Sequence, residues 1–377
     1  MRKYNNNVVY HANSHALFLT LDANTYFCDG LAAVKTAGLS KEVVSIAPWF
    51  GDEQATGSEW TDGGNSSWIS AYWNTVRWVD GGNASPSPSK YTTSFGALDV
   101  IIEALLTAQT SGRFPNLERI TVNGFSAGAQ LASRWALFSD YGNGRADTNI
   151  PIRTVIADGS TYLHLADLRP STVCSPGTDT GKTHTCDAFE VPEDYSISCP
   201  DYDAYKYGLN TTGVLYNRYL DAFIDDPTKL VTAIEAYLGN SEIRFIFGEY
   251  DVCNCNTQGY NNTQKASICY PTGTSCTPND YGGTLNGINC CDTYPDTQSS
   301  NVLSVTCEAL YMGQNRLQRG LNYMSYLMSK NQAQHAKKGL KRQSETTWPL
   351  FGFFQGGHSN HDFYASDLFQ EWVFGTD

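Results

Sequence analysis

Short apolar runs alternate with longer stretches of helical periodicity along most of this chain. Each run has the length of a buried strand, and β-branched or aromatic residues dominate it. These runs predict strands over residues 7–10, 43–47, 117–123, 152–157, 243–248 and 350–354. Apolar residues spaced three and four apart predict helices over about 23–38, 95–109, 129–138 and 365–374.

Strands that alternate with helices predict an α/β fold with a mostly parallel, doubly wound sheet and helices on both faces. Catalytic groups in such sheets lie on loops at the carboxyl ends of the strands. Two long segments interrupt the alternation, a cap-like one over about 159–240 and a cysteine-rich one over about 252–300. We interpret both as insertions in a single α/β domain over 1–377.

Residues 124–128 read Gly-Phe-Ser-Ala-Gly and fit the pattern G-x-S-x-G between a predicted strand and a predicted helix. A serine on so sharp a turn is held in strained dihedrals, and glycine neighbours let the strand and the helix approach each other. The start of the helix then offers N–H groups to a developing anion. We therefore predict that Ser126 is a nucleophile; the alternative is a turn serine that caps the helix.

A serine nucleophile needs an imidazole to take its proton and an acid to orient that imidazole. After such a turn the acid comes first along the chain and the histidine second. Asp251 follows the predicted strand 243–248, and His358 follows the strand 350–354 through two glycines. Asp158 and, less favourably, Glu249 are alternative acids, and His361 is an alternative base.

An oxyanion hole needs two backbone N–H groups. We expect one from Ala127, directly after the serine, and the second from Ala12 or Asn13, after the strand 7–10.

With Ser126, Asp251 and His358 in this order, the chain resembles the α/β-hydrolase superfamily over the sheet-forming parts of nearly its whole length. It departs from the family at His11-Ala12, where many members have His-Gly, and it lacks the usual antiparallel strands before Asn7. Within the superfamily it is most similar to uncharacterised secreted serine esterases. The resemblance implies hydrolysis of carboxylic esters through an acyl-enzyme on Ser126, without a cofactor.

Composition narrows the choice of partner. The 377 residues carry a net charge of −13, which argues against nucleic acid or an anionic membrane surface. No apolar run approaches the roughly 18 residues that span a bilayer.

Cysteine usage indicates an oxidising compartment. Eight of the 11 cysteines lie between residues 186 and 291, in loops rich in Thr, Asn, Gly and Pro, which favours disulfides. No C-x₂-C pair is present, so we predict no metal site. The odd count leaves at least one thiol unpaired within the chain, and Cys28 is our candidate for a buried free one.

Four N-x-[ST] sequons, at Asn65, Asn83, Asn210 and Asn261, also favour a secreted glycoprotein. No signal peptide opens this sequence, and we expect that a leader has been removed.

The segment after Pro48 is rich in tryptophan and should border the active site. Trp49, Phe50 and Trp60 are the predicted substrate-binding residues, although aromatic side chains there also suit packing against the sheet. An exposed platform would suit plant cell-wall, lipid-like or polyester substrates, or a polysaccharide or polymer surface. A peptidase and a non-catalytic glycan-binding protein are the alternative functions.

Overall fold

The computed structural model describes residues 8–9, 16–20, 25–39, 43–48, 50, 73, 75–84, 93–171, 188–193, 195–210, 219, 222–223, 226–249, 251, 284–285, 288–289, 304, 306–313, 316–337 and 348–375. The chain divides into two compact units. The first comprises Met1–Val155 and Val214–Ile243, and the second comprises Ile156–Gly213 and Arg244–Asp377. The expectation of one domain with two insertions stays a prediction.

Strands and helices alternate through the central part of the chain. The strands are β1 (Val8–Val9), β2 (Ala16–Thr20), β3 (Val43–Ile46), β4 (Arg119–Phe125), β5 (Ile152–Ala157), β6 (Arg169–Pro170), β7 (Phe189–Glu190), β8 (Ile243–Gly248), β9 (Thr284–Leu285), β10 (Ile288–Asn289) and β11 (Leu350–Phe354). The helices are α1 (Thr25–Thr36), α2 (Ser94–Thr110), α3 (Ala127–Phe138), α4 (Tyr195–Ser198), α5 (Pro227–Gly239), α6 (Cys307–Leu310), α7 (Arg316–Lys337), α8 (Asn360–Ala365) and α9 (Asp367–Phe374), with a 3₁₀ helix over Thr75–Asp80.

The α/β class with mostly parallel strands is confirmed. β2 pairs in parallel with both β3 and β4, and β11 pairs in parallel with β8, whereas β1 pairs with β3 in the antiparallel sense. The bounds of β5, β8 and β11 are those that the apolar runs predict. The final helix predicted over 365–374 is present as α9, but α8, which precedes it, was not predicted. Ser366 ends α8 and caps α9, because its Oγ accepts a hydrogen bond from the N–H of Phe369 (3.2 Å).

The sequence analysis missed β2, and this changes the order of strands in the first unit. Within that unit the order is β1-β3-β2-β4, so the strand at residues 8–9 is an antiparallel edge strand. The parallel neighbour of β4 is β2, whose last residue, Thr20, lies opposite Asn123. The run at residues 7–10 thus supplies an antiparallel strand of the sheet, and the residues ahead of Asn7 lie outside the described ranges.

This order creates a switch point in the first unit. The chain leaves β2 through α1 toward β3 on one side, and β4 then lies on the other side of β2. Connections that leave neighbouring strands in opposite directions open a crevice at the carboxyl ends of those strands. Ser126 follows β4 directly, at that end of the strand.

Buried side-chain contacts fix the position of helix α3, which follows Ser126. Trp135 is fully buried and donates from Nε1 to Oδ1 of Asp99 (2.8 Å). Arg134, also fully buried, pairs with Asp80 (3.6 Å) and donates to the carbonyl of Val79 (3.1 Å). A buried charge is tolerated only when it is paired in this way, so these contacts fix the helix that begins after Ser126.

The second unit is organised around α7, a helix that sequence analysis did not predict. Arg319 is fully buried and donates to the carbonyls of Gly313 (2.8 Å), Ser160 (2.7 Å) and Ser304 (2.7 Å). One turn of the helix lies directly against β8, since a Cβ on Gly320 would overlap the ring of Phe247. The start of α7 is thereby fixed close to the end of β8.

None of the helices in the described ranges is long and apolar enough to cross a membrane.

One disulfide, Cys199–Cys307, is present among the described residues, and its two cysteines are separated by 108 positions in the sequence. The other cysteines of the predicted framework lie outside the described ranges. Cys28 is a free thiol as predicted, but it is exposed and not buried, because α1 turns that side chain outward.

Removing the disulfide is expected to destabilise the protein substantially. In the chain-entropy model a cross-link over about 100 residues contributes roughly 4–5 kcal/mol to stability. We expect the double variant C199A/C307A to unfold at a clearly lower urea concentration than the parent, and C28A to match the parent. Equal midpoints for all three proteins would contradict this role of the disulfide.

Candidate active site

Ser126 sits in a backbone conformation that few residues adopt. Its φ is 56° and its ψ is −111°, between the last residue of β4 and the first residue of α3. Such strain persists only where the surrounding structure enforces it, and it is concentrated at functional sites. Ser126 occupies the N-cap position, but its side chain makes no capping hydrogen bond, which contradicts the alternative of a capping serine.

The glycine before this turn is required by space. A Cβ on Gly124 would overlap the carbonyl group of Gly128 and lie 2.7 Å from the backbone nitrogen of Ala129. The end of β4 and the first turn of α3 therefore approach more closely than any side chain permits. This close approach forms the sharp turn that carries Ser126 and leaves it half-buried.

Replacing Gly124 with alanine is expected to displace the turn and to destabilise the protein by about 3 kcal/mol or more, since overpacking here meets backbone atoms. Gly239→Ala is the matched control, because nothing lies within 4 Å of a Cβ at that position. Thermal unfolding of both variants measures the difference. A G124A protein as stable as G239A would show that the turn is looser than described here.

A second group of residues lies in the second unit, where β8 and β11 run side by side. Asp251 follows β8 and His358 follows β11, and Phe354 lies opposite Gly248 in the register of the two strands. The Nδ1 atom of His358 lies 2.8 Å from Oδ2 of Asp251, and each residue is only 4% exposed. A Cβ on Gly248 would lie 2.8 Å from the carbonyl oxygens of Gly356 and Gly357, so this glycine allows the histidine loop to approach.

Arg316 completes the surroundings of Asp251, and no motif in the sequence indicated it. Its Nη1 atom lies 3.7 Å from Oδ1 of Asp251. The N–H of Leu317, in the first turn of α7, donates to the carbonyl of Asp251 (3.0 Å). The positive end of the helix and the guanidinium therefore both favour the ionised form of Asp251.

These contacts set the charge state of the pair. Burial raises the pKa of Asp251, but His358 and Arg316 together outweigh burial, so its pKa lies below the ordinary value. Burial, followed by Arg316, lowers the pKa of His358, and Asp251 opposes that shift only in part. At neutral pH the pair is therefore a carboxylate beside a neutral imidazole, with the Nδ1 proton on the Asp251 side and Nε2 as the basic nitrogen.

Asp158, the alternative acid, is buried in the same place. It lies directly after β5, is fully buried and has a φ of 49°. Its Oδ1 accepts the N–H of Gly248 (2.9 Å). The carboxyls of Asp158 and Asp251 and the imidazole of His358 each offer an atom within 4.8 Å of the others.

The other predicted residues are distributed as follows. Ala127 is the first residue of α3, so its N–H belongs to the unpaired start of a helix. His361 is exposed on α8. Phe50 stacks on Trp78 (5.5 Å between ring centres) and meets Trp73 edge to face (5.1 Å). Ala12, Asn13, Trp49 and Trp60 lie outside the described residues.

Two of the predicted glycosylation sites are described. Asn210 is exposed, as a carrier of a glycan must be. Asn83 is half-buried, and its backbone bridges to Thr93.

Comparison with known proteins gives distant likenesses. No family model matches the chain, and no curated protein matches it. Among solved structures it is similar to a poly(3-hydroxybutyrate) depolymerase of Bordetella parapertussis, with 14% identity, a TM-score of 0.48, and coverage of 97% of this chain and 81% of the other. It is similar to poly(aspartic acid) hydrolase-1 of Sphingomonas sp. KT-1, with 15% identity, a TM-score of 0.49, and coverage of 96% of this chain and 89% of the other. A siderophore hydrolase of Aspergillus nidulans has 10% identity, a TM-score of 0.37, and coverage of 97% and 84%.

Proposed function

We propose that this protein is a serine hydrolase that cleaves carboxylic esters through an acyl-enzyme on Ser126. The observation that carries the proposal is the conformation of Ser126, which is strained, half-buried and not used to cap the helix that follows it. A helix-capping or structural serine has no need of this strain, whereas a nucleophile must be presented on a sharp turn.

In the proposed reaction, Oγ of Ser126 attacks the ester carbonyl while Nε2 of His358 takes the hydroxyl proton. The Asp251 carboxylate, supported by Arg316, stabilises the imidazolium that forms. The N–H of Ala127 donates to the oxyanion, and the leaving alcohol receives the proton from His358. Water then releases the acid product by the same steps, with His358 as the base, and restores Ser126.

The second oxyanion donor was expected after the strand at residues 7–10. Because β2 and not β1 is the parallel neighbour of β4, the chain that follows Thr20 is a stronger candidate for this donor than Ala12 or Asn13.

We also propose that the protein works outside the cell. A disulfide between the fully buried Cys199 and the half-buried Cys307 supports an oxidising compartment, and the exposed sequon at Asn210 is compatible with glycosylation. The candidate substrates remain plant cell-wall esters, lipid-like esters and polyesters, with Phe50 as a candidate contact.

Labelling with a fluorophosphonate probe, followed by a panel of ester and peptide substrates, tests the proposal. We expect covalent labelling at Ser126 and turnover of short p-nitrophenyl esters. Labelling with turnover of peptides alone would replace the esterase by a peptidase. A folded protein that neither labels nor hydrolyses would favour a non-catalytic binding protein.

A further inference from the structure

Two buried carboxyl groups share one small space in the second unit, and the proposed mechanism uses only one of them. Asp158 is fully buried and Asp251 is 4% exposed, and atoms of both carboxyls lie within 4.8 Å of each other and of the imidazole of His358. Two ionised carboxylates so close together in a buried site repel each other strongly. One of the two must therefore carry a proton, or a cation must lie between them.

The neighbours of the two groups differ, and the difference decides which one is ionised. Asp251 has two partners that favour its anion. One is the positively charged Arg316 at 3.7 Å, and the other is the proton-donating Nδ1 of His358 at 2.8 Å. Asp158 has only the N–H of Gly248 on Oδ1, and its Oδ2 atom has no hydrogen-bond partner among the described residues. An unpartnered, fully buried oxygen is costly as part of an anion and is more easily accommodated as a neutral hydroxyl.

The remaining titratable groups around Asp158 give the same answer. Tyr162 is fully buried close to Asp158, since a Cβ on the next residue, Gly159, would lie 3.3 Å from the Tyr162 ring. A phenol carries no positive charge, so Tyr162 does not favour the anion of Asp158 by charge. Burial first, and Asp251 second, raise the pKa of Asp158 well above its ordinary value, while the N–H of Gly248 and Arg316 oppose the shift only in part.

We propose that Asp158 is a positioning residue that holds the single proton of the carboxyl pair, keeps Asp251 as the anion beside His358, and can replace it as that anion. The inference rests on the proposed function, in which His358 is the base. When Asp251 is neutral, the main repulsion on Asp158 disappears. Asp158 then ionises within reach of the same imidazole and supports it in part.

Asparagine substitutions test this proposal, because the amide is neutral and nearly isosteric with a protonated carboxyl. Asparagine also tolerates the positive φ of Asp158 and can still accept the N–H of Gly248. We expect D158N to hydrolyse a p-nitrophenyl ester within about threefold of the parent, with the acid limb of its pH profile unmoved. A large loss of kcat with the limb shifted would show that Asp158 is the ionised acid, and would overturn the proposal.

The decisive comparison repeats the substitution in a protein that lacks the Asp251 carboxylate. Loss of the acid of a triad alone costs about 3 × 10⁴-fold in kcat in a serine protease. We expect D251N to lose only about 10²-fold because Asp158 takes over, and D158N/D251N to lose at least about tenfold more. Equal effects of D158N in both backgrounds would leave Asp158 a merely structural residue. Loss of parent activity on treatment with a chelator would show that a cation balances the pair instead.

A measurement without substrate separates this inference from the proposed function. Carbon-13 labelling of the aspartate carboxyls lets the protonation of each carboxyl be followed by NMR. The signals of Asp158 and Asp251 are assigned by their disappearance in D158N and D251N. We expect one buried carboxyl that stays protonated at neutral pH, absent from D158N and ionised in D251N. If that signal is present but the parent hydrolyses no ester, the esterase proposal fails and the proton assignment stands. If the protonated signal is absent, the inference fails whatever the activity.

Discussion

Replacing Ser126 with alanine is expected to reduce kcat for short esters by about 10⁴- to 10⁶-fold, the loss seen when the nucleophile of a serine triad is removed. The variant should fold normally. The Ser126 side chain makes no capping hydrogen bond, so the start of α3 does not depend on a cap from this hydroxyl. The residual rate would reflect binding and oxyanion contacts alone. Steady-state kinetics with a p-nitrophenyl ester measure the effect.

Ser133→Ala is the matched control for this experiment. Ser133 lies on the same helix and is buried, and its Oγ donates to the carbonyl of Gln130 (3.2 Å). We expect it to cost about 1 kcal/mol of stability or less and to leave kcat unchanged. Unchanged turnover by S126A, with normal folding, would remove Ser126 from the mechanism.

Replacing His358 with glutamine is expected to have the second large effect, a loss of about 10⁴-fold or more in kcat. Glutamine can still donate to Asp251, but it cannot accept a proton at neutral pH. The loss should therefore fall on kcat much more than on KM. It should also remove the acid limb of the pH profile. In the parent this limb should lie below pH 6.5, the ordinary histidine value, because burial and Arg316 lower the pKa of His358.

His361→Gln is the control for His358→Gln. His361 lies three residues further along the chain, on α8, and is exposed. We expect the kcat of H361Q and the acid limb of its pH profile to match those of the parent. A loss of activity in H361Q that equals the loss in H358Q would reverse the assignment of the base.

Local patterns were sufficient for three short apolar runs. The runs at 152–157, 243–248 and 350–354 became β5, β8 and β11 with the predicted bounds, because short runs dominated by β-branched and aromatic residues favour strands over helices. The turn at Ser126 was also predictable, since its two glycines mark a close backbone approach in the sequence itself. The same local patterns placed Asp251 after the strand 243–248 and His358 after the strand 350–354, and the structure shows that these two strands are neighbours.

Local patterns failed where neighbours along the sheet decide the outcome. Residues 8–9 and 16–20 are both short runs, and only pairing shows that the first is an antiparallel edge and the second the partner of β4. The short helix α8 was also missed, because it ends at the N-cap Ser366 of the predicted final helix and is only six residues long.

The sequence by itself determined the α/β class, the turn that carries Ser126, and the positions of Asp251 after β8 and of His358 after β11. Only the tertiary structure placed Arg316 beside Asp251 and buried Asp158 beside the same imidazole. The reason is that strand order and charge state depend on contacts between residues distant in the chain. A carboxyl group in a sequence has no fixed pKa, because burial and neighbouring charges decide whether it is an anion or holds a proton.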